Sequence, residues 1–178
     1  MDQIFAPWRI EWVERDDDGS EDCPFCALPD HDADREHRIV ARGDHGFVLL
    51  NNAPYNPGHL MVIPHRHVES YAALDDAAVA GHARLRVRTL EALREAFDPD
   101  GLNTGTNLGG TAAGGSIDDH VHEHVVPRWA GDTSFMPVVS DTKVIVQALD
   151  ESYDRLHEAF AAQDGARETA SGAVGLPV

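Results

Sequence analysis

The sequence predicts a single α+β domain, in which an antiparallel sheet of five strands is crossed by one helix and followed by a second, C-terminal helix. Three observations lead to this prediction. Short runs rich in β-branched and aromatic residues recur along the chain, and two longer segments place apolar residues at helical spacing. The length of 178 residues suits one core of ordinary size.

Five short runs have the composition of β-strands. They lie at residues 39–41, 46–50, 59–63, 102–107 and 120–127. The segment 51–58, between the second and third runs, is too rich in proline and asparagine for a strand interior. It therefore predicts a turn that connects the two strands.

Two segments carry the apolar spacing of amphipathic helices. The first begins at an N-cap within residues 74–76 and ends at the Asp-Pro-Asp-Gly segment 98–101. Its apolar stripe, expected to face the core, consists of Val79, Ala83, Val87, Leu90, Leu93 and Phe97. The second helix is marked by Ile145, Leu149, Tyr153, Leu156 and Phe160.

The regular signals occupy the middle of the chain. Residues 1–36 carry few of them and form an N-terminal segment that contains the Cys-x-x-Cys pair Cys23 and Cys26. Residues 37–162 are expected to form the folded domain. Residues 163–178 are mostly small and polar without periodicity, which predicts a loose, flexible tail.

The chain is strongly acidic, with 31 Asp and Glu against 14 Lys and Arg and a formal net charge of −17. This balance argues against a protein that binds nucleic acid, which requires clustered cations. It fits either adaptation to concentrated salt, as in a halophilic organism, or an ordinary acidic enzyme. An anionic substrate would have to find a locally favourable pocket against a repulsive field.

Neither a membrane span nor an export signal is recognisable in the sequence. No apolar run approaches the length needed to cross a bilayer, and the first residues lack a basic stretch followed by an apolar one. The two cysteines lie too close together to staple a secreted domain. The expectation is a cytoplasmic protein that does not associate with membranes.

The segment His120-Val121-His122-Glu123-His124 says most about function. In an extended strand, side chains alternate between faces, so its three imidazoles would share one face at a pitch of roughly 6.6–6.8 Å. Three interpretations are open at this point. The histidines are chance residues on an exposed edge strand, or ligands of a catalytic metal, or one nucleophile that its neighbours orient.

The cysteine pair favours metal binding over redox chemistry. A redox pair is typical of a helix N-terminus within a βαβ unit, and this segment resembles neither. Two thiolates supply half of a tetrahedral zinc shell, so two histidines would have to complete it. Candidates are His65 or His67, after the strand at 59–63, and His120. A site with four protein ligands is closed to water and therefore structural.

A glycine-rich loop at 109–116 directly precedes the histidine segment. Such a loop either turns the chain or presents backbone N–H groups to an anion such as phosphate. A neutral imidazole beside it could attack phosphorus and form a phosphoramidate, which a second acceptor then cleaves. His122, flanked by a histidine on both sides, is the best placed to act as this nucleophile.

These residues resemble a known family. HVHEHVV resembles the HxHxHxx signature of the histidine triad (HIT) nucleotide hydrolases and transferases, and the likeness extends from Cys23 to Trp129. Asn51, Pro57-Gly58-His59 and Ile63-Pro64 are similar to that family's ribose-binding strand and following turn. The resemblance implies a HIT-like fold, an enzyme acting on nucleotides, and a homodimer that pairs two sheets.

The resemblance also implies roles for individual residues. His122 matches the nucleophile, and His124 matches the residue that contacts the transferred phosphate. The implied substrate-binding residues are Phe47 for the base, Asn51 for the ribose, and Asn107, Gly115 and Ser116 for the phosphates. The implied ligands of a structural zinc ion are Cys23, Cys26, His67 and His120, which leaves His65 as a bystander.

Several stretches are most similar to the diadenosine tetraphosphate phosphorylase and hydrolase branch of the family. They lie at residues 6–9, 54–62, 107–109 and 127–132. That branch implies cleavage of dinucleoside polyphosphates through a nucleotidyl-histidine, which water or phosphate then resolves. The alternatives are a purine nucleoside phosphoramidase of the same family, a zinc-water hydrolase with three histidine ligands, and a nucleotide-binding module without turnover.

The chain departs from the family pattern at two places. Glu123 occupies a position that the family usually fills with an apolar residue or Gln, and strand alternation turns it away from the site. Altered packing or a subunit contact is therefore expected there. The loop at 107–120 is longer than in many members, and Gly115-Ser116 replaces the common Gly-Gln-Ser/Thr.

Overall fold

The computed structural model describes residues 23–113, 117, 119–132 and 147–178, and one seven-stranded sheet runs through them. The strands are β1 (Ile39–Arg42), β2 (Gly46–Leu50), β3 (Leu60–Pro64), β4 (Gly101–Thr106), β5 (Glu123–Arg128), β6 (Arg167–Glu168) and β7 (Val174–Gly175). The helices are α1 (Pro24–Ala27), α2 (Asp34–His37), α3 (Asp76–Phe97) and α4 (Leu149–Ala161). Short 3-10 helices span Leu28–Asp30, Tyr71–Ala73 and Gly110–Ala113.

The α+β class and the five predicted strands are confirmed, but the sheet is larger than predicted. Its order is β4-β5-β3-β2-β1-β7-β6, and the first five strands pair antiparallel throughout. Strand β7 adds to the far edge parallel to β1, and β6 pairs antiparallel with β7. The sheet is therefore mixed and has seven strands, where an antiparallel sheet of five was expected.

The two additional strands come from residues 163–178, for which a loose tail was expected. That expectation does not hold, because Val174, Leu176 and Val178 are buried in the main core. Their spacing of two residues is the strand period, and it places all three side chains on one face. The pattern is short and lies among small residues, which is why it is hard to recognise in the sequence.

Helix α3 begins and ends where its capping residues predict. The Asp75 carboxylate accepts a hydrogen bond of 2.8 Å from the Ala78 amide, and Asp98 ends the helix in the left-handed conformation with φ of 43°. The predicted stripe is wrong in part, because Val79 and Val87 are 42% and 50% exposed. The buried face instead consists of Ala78, Gly81, His82, Leu85, Thr89, Ala92 and Leu93.

The two faces of the sheet have different surroundings. Alternate residues of β2 and β3, such as Val48 and Val62, join a core with α3 and α4. The residues between them join a smaller cluster with the segment around α1 on the opposite face. This second cluster consists of Phe25, Ile39, Phe47, Leu49, Met61, Ile63 and Ala173. The histidines of the candidate site lie on that second face.

Helix α4 is present from Leu149 onward, as the apolar spacing predicted, whereas Ile145 lies outside the described residues. Among the described helices, none is both long and apolar enough to span a lipid bilayer.

Candidate functional site

The three histidines of the motif do not form one even row. Strand β5 begins at Glu123, so His120 and His122 lie in the loop before it, although the sequence predicted a strand from residue 120. The rings of His122 and His124 are neighbours, with centroids 4.9 Å apart and planes at 77°. His120 faces a different group of residues, and its ring centroid lies 5.0 Å from that of His67. The motif therefore serves two adjacent sites.

The first site is a cluster that could hold a metal ion. Cys23, Cys26, His67 and His120 each offer one ligand atom, and these atoms all lie within 4.8 Å of one another. Cys23 Sγ is 3.3 Å from His120 Nδ1, and Cys26 Sγ is 3.3 Å from His67 Nδ1. The tight turn between the cysteines is closed by a 2.9 Å bond from the Cys26 amide to the Cys23 carbonyl. Two sulfur and two imidazole ligands suit tetrahedral zinc.

Hydrogen bonds outside the cluster favour metal binding. His120 Nε2 lies 2.8 Å from the Pro64 carbonyl, which can only accept, so the ring proton is on Nε2 and Nδ1 is free to bind a metal. Burial lowers the pKa of His120 and so keeps that nitrogen unprotonated. Burial, followed by the charge of Cys23, raises the pKa of the Cys26 thiol to about 11. A cation between the sulfurs would displace that proton.

His65 lies outside this cluster, as the family resemblance implied. Its Nε2 contacts the Gly43 carbonyl at 3.2 Å, and its ring stacks on Phe47 with centroids 5.7 Å apart. The four residues of the cluster are therefore those that the family resemblance implied as metal ligands, and His65 serves as a matched control for them.

The second site is built around His122. Its Nδ1 lies 2.9 Å from the His120 carbonyl, so Nδ1 carries the proton and donates it, while the lone pair of Nε2 remains available. Burial lowers the pKa of His122, and the hydrogen bond to the carbonyl opposes this only in part. The ring is thus neutral near neutral pH. Phe25 packs edge-on against it at 5.1 Å between centroids.

The proton on His124 is set by a residue to which the sequence analysis gave no role. The Tyr55 amide donates to His59 Nδ1 at 3.1 Å, so the proton of His59 lies on Nε2. That Nε2 is 3.0 Å from His124 Nδ1. His124 therefore accepts at Nδ1 and carries its own proton on Nε2. His59 is fully buried. The feature of the sequence that could have indicated this role is a histidine directly before the buried strand β3.

Three of the five predicted substrate residues lie in the described part of the chain. Asn51 follows β2, and its amide oxygen accepts a 2.8 Å bond from the Ala53 amide. Phe47 lies in the apolar cluster of this face and is fully buried, so it supports the surface from beneath. Asn107 is exposed directly after β4. The predicted Gly115 and Ser116 lie outside the described residues.

Glu123 points to the opposite face of the sheet, as alternation predicted. Its carboxylate lies 3.2 Å from His82 Nε2 and 3.4 Å from Arg86 Nη1, and both partners belong to α3. Burial acts to raise the pKa of Glu123, but the hydrogen bond from His82 and the charge of Arg86 outweigh it and lower the pKa overall. The two expectations for Glu123 were altered packing and a subunit contact. The contacts with His82 and Arg86 lie within the chain and therefore agree with the first.

The arrangement can perform nucleophilic substitution. One imidazole offers an unprotonated nitrogen, and its neighbour offers an N–H donor that can serve a negative charge or a leaving oxygen. The cluster of Cys23, Cys26, His67 and His120 adjoins His122 through the His120 backbone carbonyl, which orients the His122 ring.

Comparison with known proteins agrees with this geometry. The family model described as "HIT domain" matches residues 33–131. A protein of Mycobacterium tuberculosis named AP-4-A phosphorylase is 37% identical over 170 residues, which cover 92% of this chain and 86% of that protein.

Solved structures give the same result. A zinc-bound histidine triad family protein from Mycobacterium smegmatis is 32% identical with a TM-score of 0.63, covering 80% of this chain and 96% of that one. A hypothetical histidine triad nucleotide-binding protein from Sulfolobus tokodaii is 27% identical with a TM-score of 0.59, covering 78% and 89% of the two chains. The chain therefore belongs to the histidine triad (HIT) family and is related to its nucleotide hydrolases and transferases.

Proposed function

We propose that this protein cleaves dinucleoside polyphosphates, such as diadenosine tetraphosphate, by transferring a nucleotidyl group through a covalent intermediate on His122. The observation that carries the proposal is the 2.9 Å contact of His122 Nδ1 with the His120 carbonyl. This contact leaves Nε2 unprotonated and holds the ring in one orientation, which are the two requirements for an imidazole nucleophile.

In the first step, the lone pair of His122 Nε2 attacks a phosphorus atom of the polyphosphate. The N–P bond forms while the bond from phosphorus to the bridging oxygen breaks, and the leaving phosphate takes that electron pair. His124 Nε2–H is the donor available to the departing oxygen. The His120 carbonyl accepts from the other side of the nucleophile's ring and favours the positive charge that develops there.

In the second step, water or inorganic phosphate attacks the same phosphorus, and the electron pair of the N–P bond returns to His122 Nε2. His122 is then neutral again with its proton on Nδ1, and the acceptor's proton leaves with the released product or passes to solvent, which restores the starting state. The Mycobacterium tuberculosis relative is named a phosphorylase, and this favours phosphate as the acceptor.

Binding of the anionic substrate relies on neutral groups. The one lysine of this acidic chain, Lys143, lies outside the described residues. We propose that Asn51 binds the ribose and that Asn107, Gly115 and Ser116 serve the phosphates, largely through side-chain amides and backbone N–H groups. The apolar cluster containing Phe47 forms the floor beneath the base.

We propose that the metal held by Cys23, Cys26, His67 and His120 is zinc and that its role is structural. With four protein ligands, the site has no open position for a reactive water. Both thiols must stay reduced to bind, which fits the cytoplasm. The acidic surface fits concentrated salt.

The test is the covalent intermediate. Wild-type protein is mixed with diadenosine tetraphosphate, quenched in base and examined for an acid-labile nucleotidyl adduct. His122→Ala should lose adduct and turnover together, whereas His65→Ala, which removes an exposed histidine of the same sheet face, should keep both. Products separate the acceptors: ADP plus ATP indicates phosphate, and AMP plus ATP or paired ADP indicates water.

Other outcomes would overturn the proposal in recognisable ways. Turnover that disappears on addition of a chelator and that proceeds without an adduct would favour the zinc-water hydrolase. Tight nucleotide binding without product over hours would favour a binding module. A higher kcat/KM for a purine nucleoside phosphoramidate than for the dinucleotide would favour the phosphoramidase.

We also propose that the protein is a homodimer. Strand β4 forms one edge of the sheet, and its residues Asn103, Thr104 and Gly105 are exposed. Val79 and Val87 are exposed eight residues apart, which places them on one side of α3. An edge strand and exposed apolar residues on a helix both suit pairing with a second copy.

A further inference from the structure

A buried ionic cluster lies directly behind the two catalytic histidines. Glu123 stands between His122 and His124 in the sequence, but its side chain points to the helix-packed face of the sheet and is only 7% exposed. Its two carboxylate oxygens have separate partners on α3. His82 Nε2 lies 3.2 Å from one oxygen, and Arg86 Nη1 lies 3.4 Å from the other.

The cluster is held on three sides. His82 and Arg86 are four residues apart and therefore adjacent on one face of α3. The ring of His82 contacts that of Tyr71 at 4.9 Å, and the Tyr71 hydroxyl lies 3.1 Å from Thr106 Oγ1. Thr106 is the residue of β4 that pairs with Glu123 in the sheet. The cluster thus joins α3, β4 and β5 at one point.

That point is the first residue of β5, so the ionic cluster can affect the placement of the two histidines that flank Glu123. His122 lies in the loop immediately before the strand, where no strand ladder fixes it, and His124 is the strand's second residue. Where β5 begins, and how it is rotated, therefore sets the position of the backbone that carries both catalytic rings. An apolar side chain at position 123 would fill space but would not fix direction, whereas a two-pronged carboxylate does.

The expected tautomer of His82 fits a hydrogen bond that holds the Glu123 carboxylate in place. Its Nδ1 is buried and has no hydrogen-bond partner among the described residues. A buried N–H without an acceptor is costly, so the ring proton is expected on Nε2, where it is donated to Glu123. Arg86, whose side chain is partly exposed, then balances the charge of the carboxylate.

We infer that Glu123 is a positioning residue for the nucleotidyl-transfer step: held by His82 and Arg86, it fixes the start of β5 and thereby the placement of His122 and His124. This inference rests on the proposed function. It extends that function to a residue that touches neither substrate nor metal, at a position where the chain departs from the usual family pattern.

The test separates positioning from mere stabilisation. Glu123→Gln keeps the side-chain shape and removes the charge, and Glu123→Leu substitutes an apolar residue. Each should lower kcat by about tenfold to a hundredfold, since small misplacements of reacting groups have effects of this size. KM should stay within about twofold, because no substrate contact is lost. Bound zinc, measured per chain, should be unchanged.

The matched control is Asp34→Asn, which removes another buried carboxylate that is paired with an arginine. That arginine, Arg42, belongs to β1, which lies three strands away from β5 in the sheet. It should lower thermal stability without changing kcat. His82→Gln should reproduce the kcat loss of Glu123→Gln, and the double variant should lose little more than either single one. Should Glu123→Leu fold poorly, His82→Gln carries the same test.

Wild-type kcat in both Glu123→Gln and His82→Gln would overturn the inference, as would kcat losses of equal size in Asp34→Asn. Failure of the proposed function gives a different pattern: wild-type protein without turnover, or a His122→Ala variant that stays active.

Discussion

His59 Nε2 lies 3.0 Å from His124 Nδ1, so a histidine outside the triad motif determines which nitrogen of His124 carries its proton. The chain of donors begins at the Tyr55 amide, which occupies His59 Nδ1. Each ring then has one possible neutral tautomer, and the last N–H in the chain belongs to His124 Nε2. The proton donor of the proposed reaction is thus oriented by the backbone of the turn before β3.

We predict that His59→Phe will lower kcat by about tenfold to a hundredfold, at or below the lower end of general-acid contributions, because His124 itself remains in place. Phenylalanine retains the ring volume at this buried position but cannot hold the His124 tautomer. The loss should be smaller for a nitrophenyl ester of a nucleotide, because its leaving group needs no proton. Steady-state kinetics with both substrates measures this difference. Equal losses would show that His59 acts on binding or on the nucleophile instead.

Metal content provides a second prediction. Cys26→Ser should reduce bound zinc from about one ion per chain to nearly none, because a hydroxyl is a poor replacement for a thiolate in a tetrahedral site. The variant should also unfold at lower temperature, since a bound metal would join the α1 turn to His67 and His120. Elemental analysis and thermal unfolding measure both effects. His65→Ala, two residues from a ligand, should retain zinc. Loss of zinc from that control would contradict the ligand set.

A third prediction concerns Asp34, a buried carboxylate that accepts hydrogen bonds from Arg42, Ser171 and the Ala173 amide. Burial acts to raise its pKa, but the bonds from Arg42 and Ser171 outweigh this and lower the pKa below 3.8. The folded protein therefore binds this proton less readily than the unfolded chain. The resulting stability is present above about pH 4 and is lost as pH falls through the lower, folded-state pKa.

Asp34→Asn should lower the free energy of unfolding by about 2 to 4 kcal/mol at pH 7, because it leaves a partly buried Arg42 without its counter-ion. Its stability should also fall less steeply than that of the wild type below pH 4. Urea unfolding at pH 7 and pH 3 measures both quantities. The same difference between variant and wild type at both pH values would contradict the assignment.

Much of the fold follows from local sequence patterns, and the errors have physical causes. Strands β1, β3 and β5 each carry a pair of adjacent β-branched residues, but the buried face of α3 includes Gly81, His82 and Thr89. These residues carry little apolar signal, and the stripe that contains Val79 and Val87 therefore appeared to be the buried one. The helix was predicted correctly, and its rotation about its axis was not.

The candidate site likewise contains residues that the sequence identified and residues whose roles the sequence did not indicate. Cys23, Cys26, His67 and His120 were found because the family motif fixes each of them relative to a local landmark. The role of His59 depends on a tautomer chain from Tyr55 to His124, and the role of Glu123 depends on partners about forty residues away. Such relations arise only when distant segments meet, so neither spacing nor composition indicates them.

The proposed dimer gives the last prediction. Val87→Glu places a charge on the exposed apolar side of α3, where burial against a second copy would be costly without a partner. We expect the variant to sediment as a monomer at concentrations where the wild type is a dimer. Ala161→Glu adds the same charge at an exposed position on a different helix, α4, and should leave the dimer intact. A wild-type monomer would contradict the proposed dimer, and a Val87→Glu dimer of undiminished stability would show that this side of α3 remains in solvent.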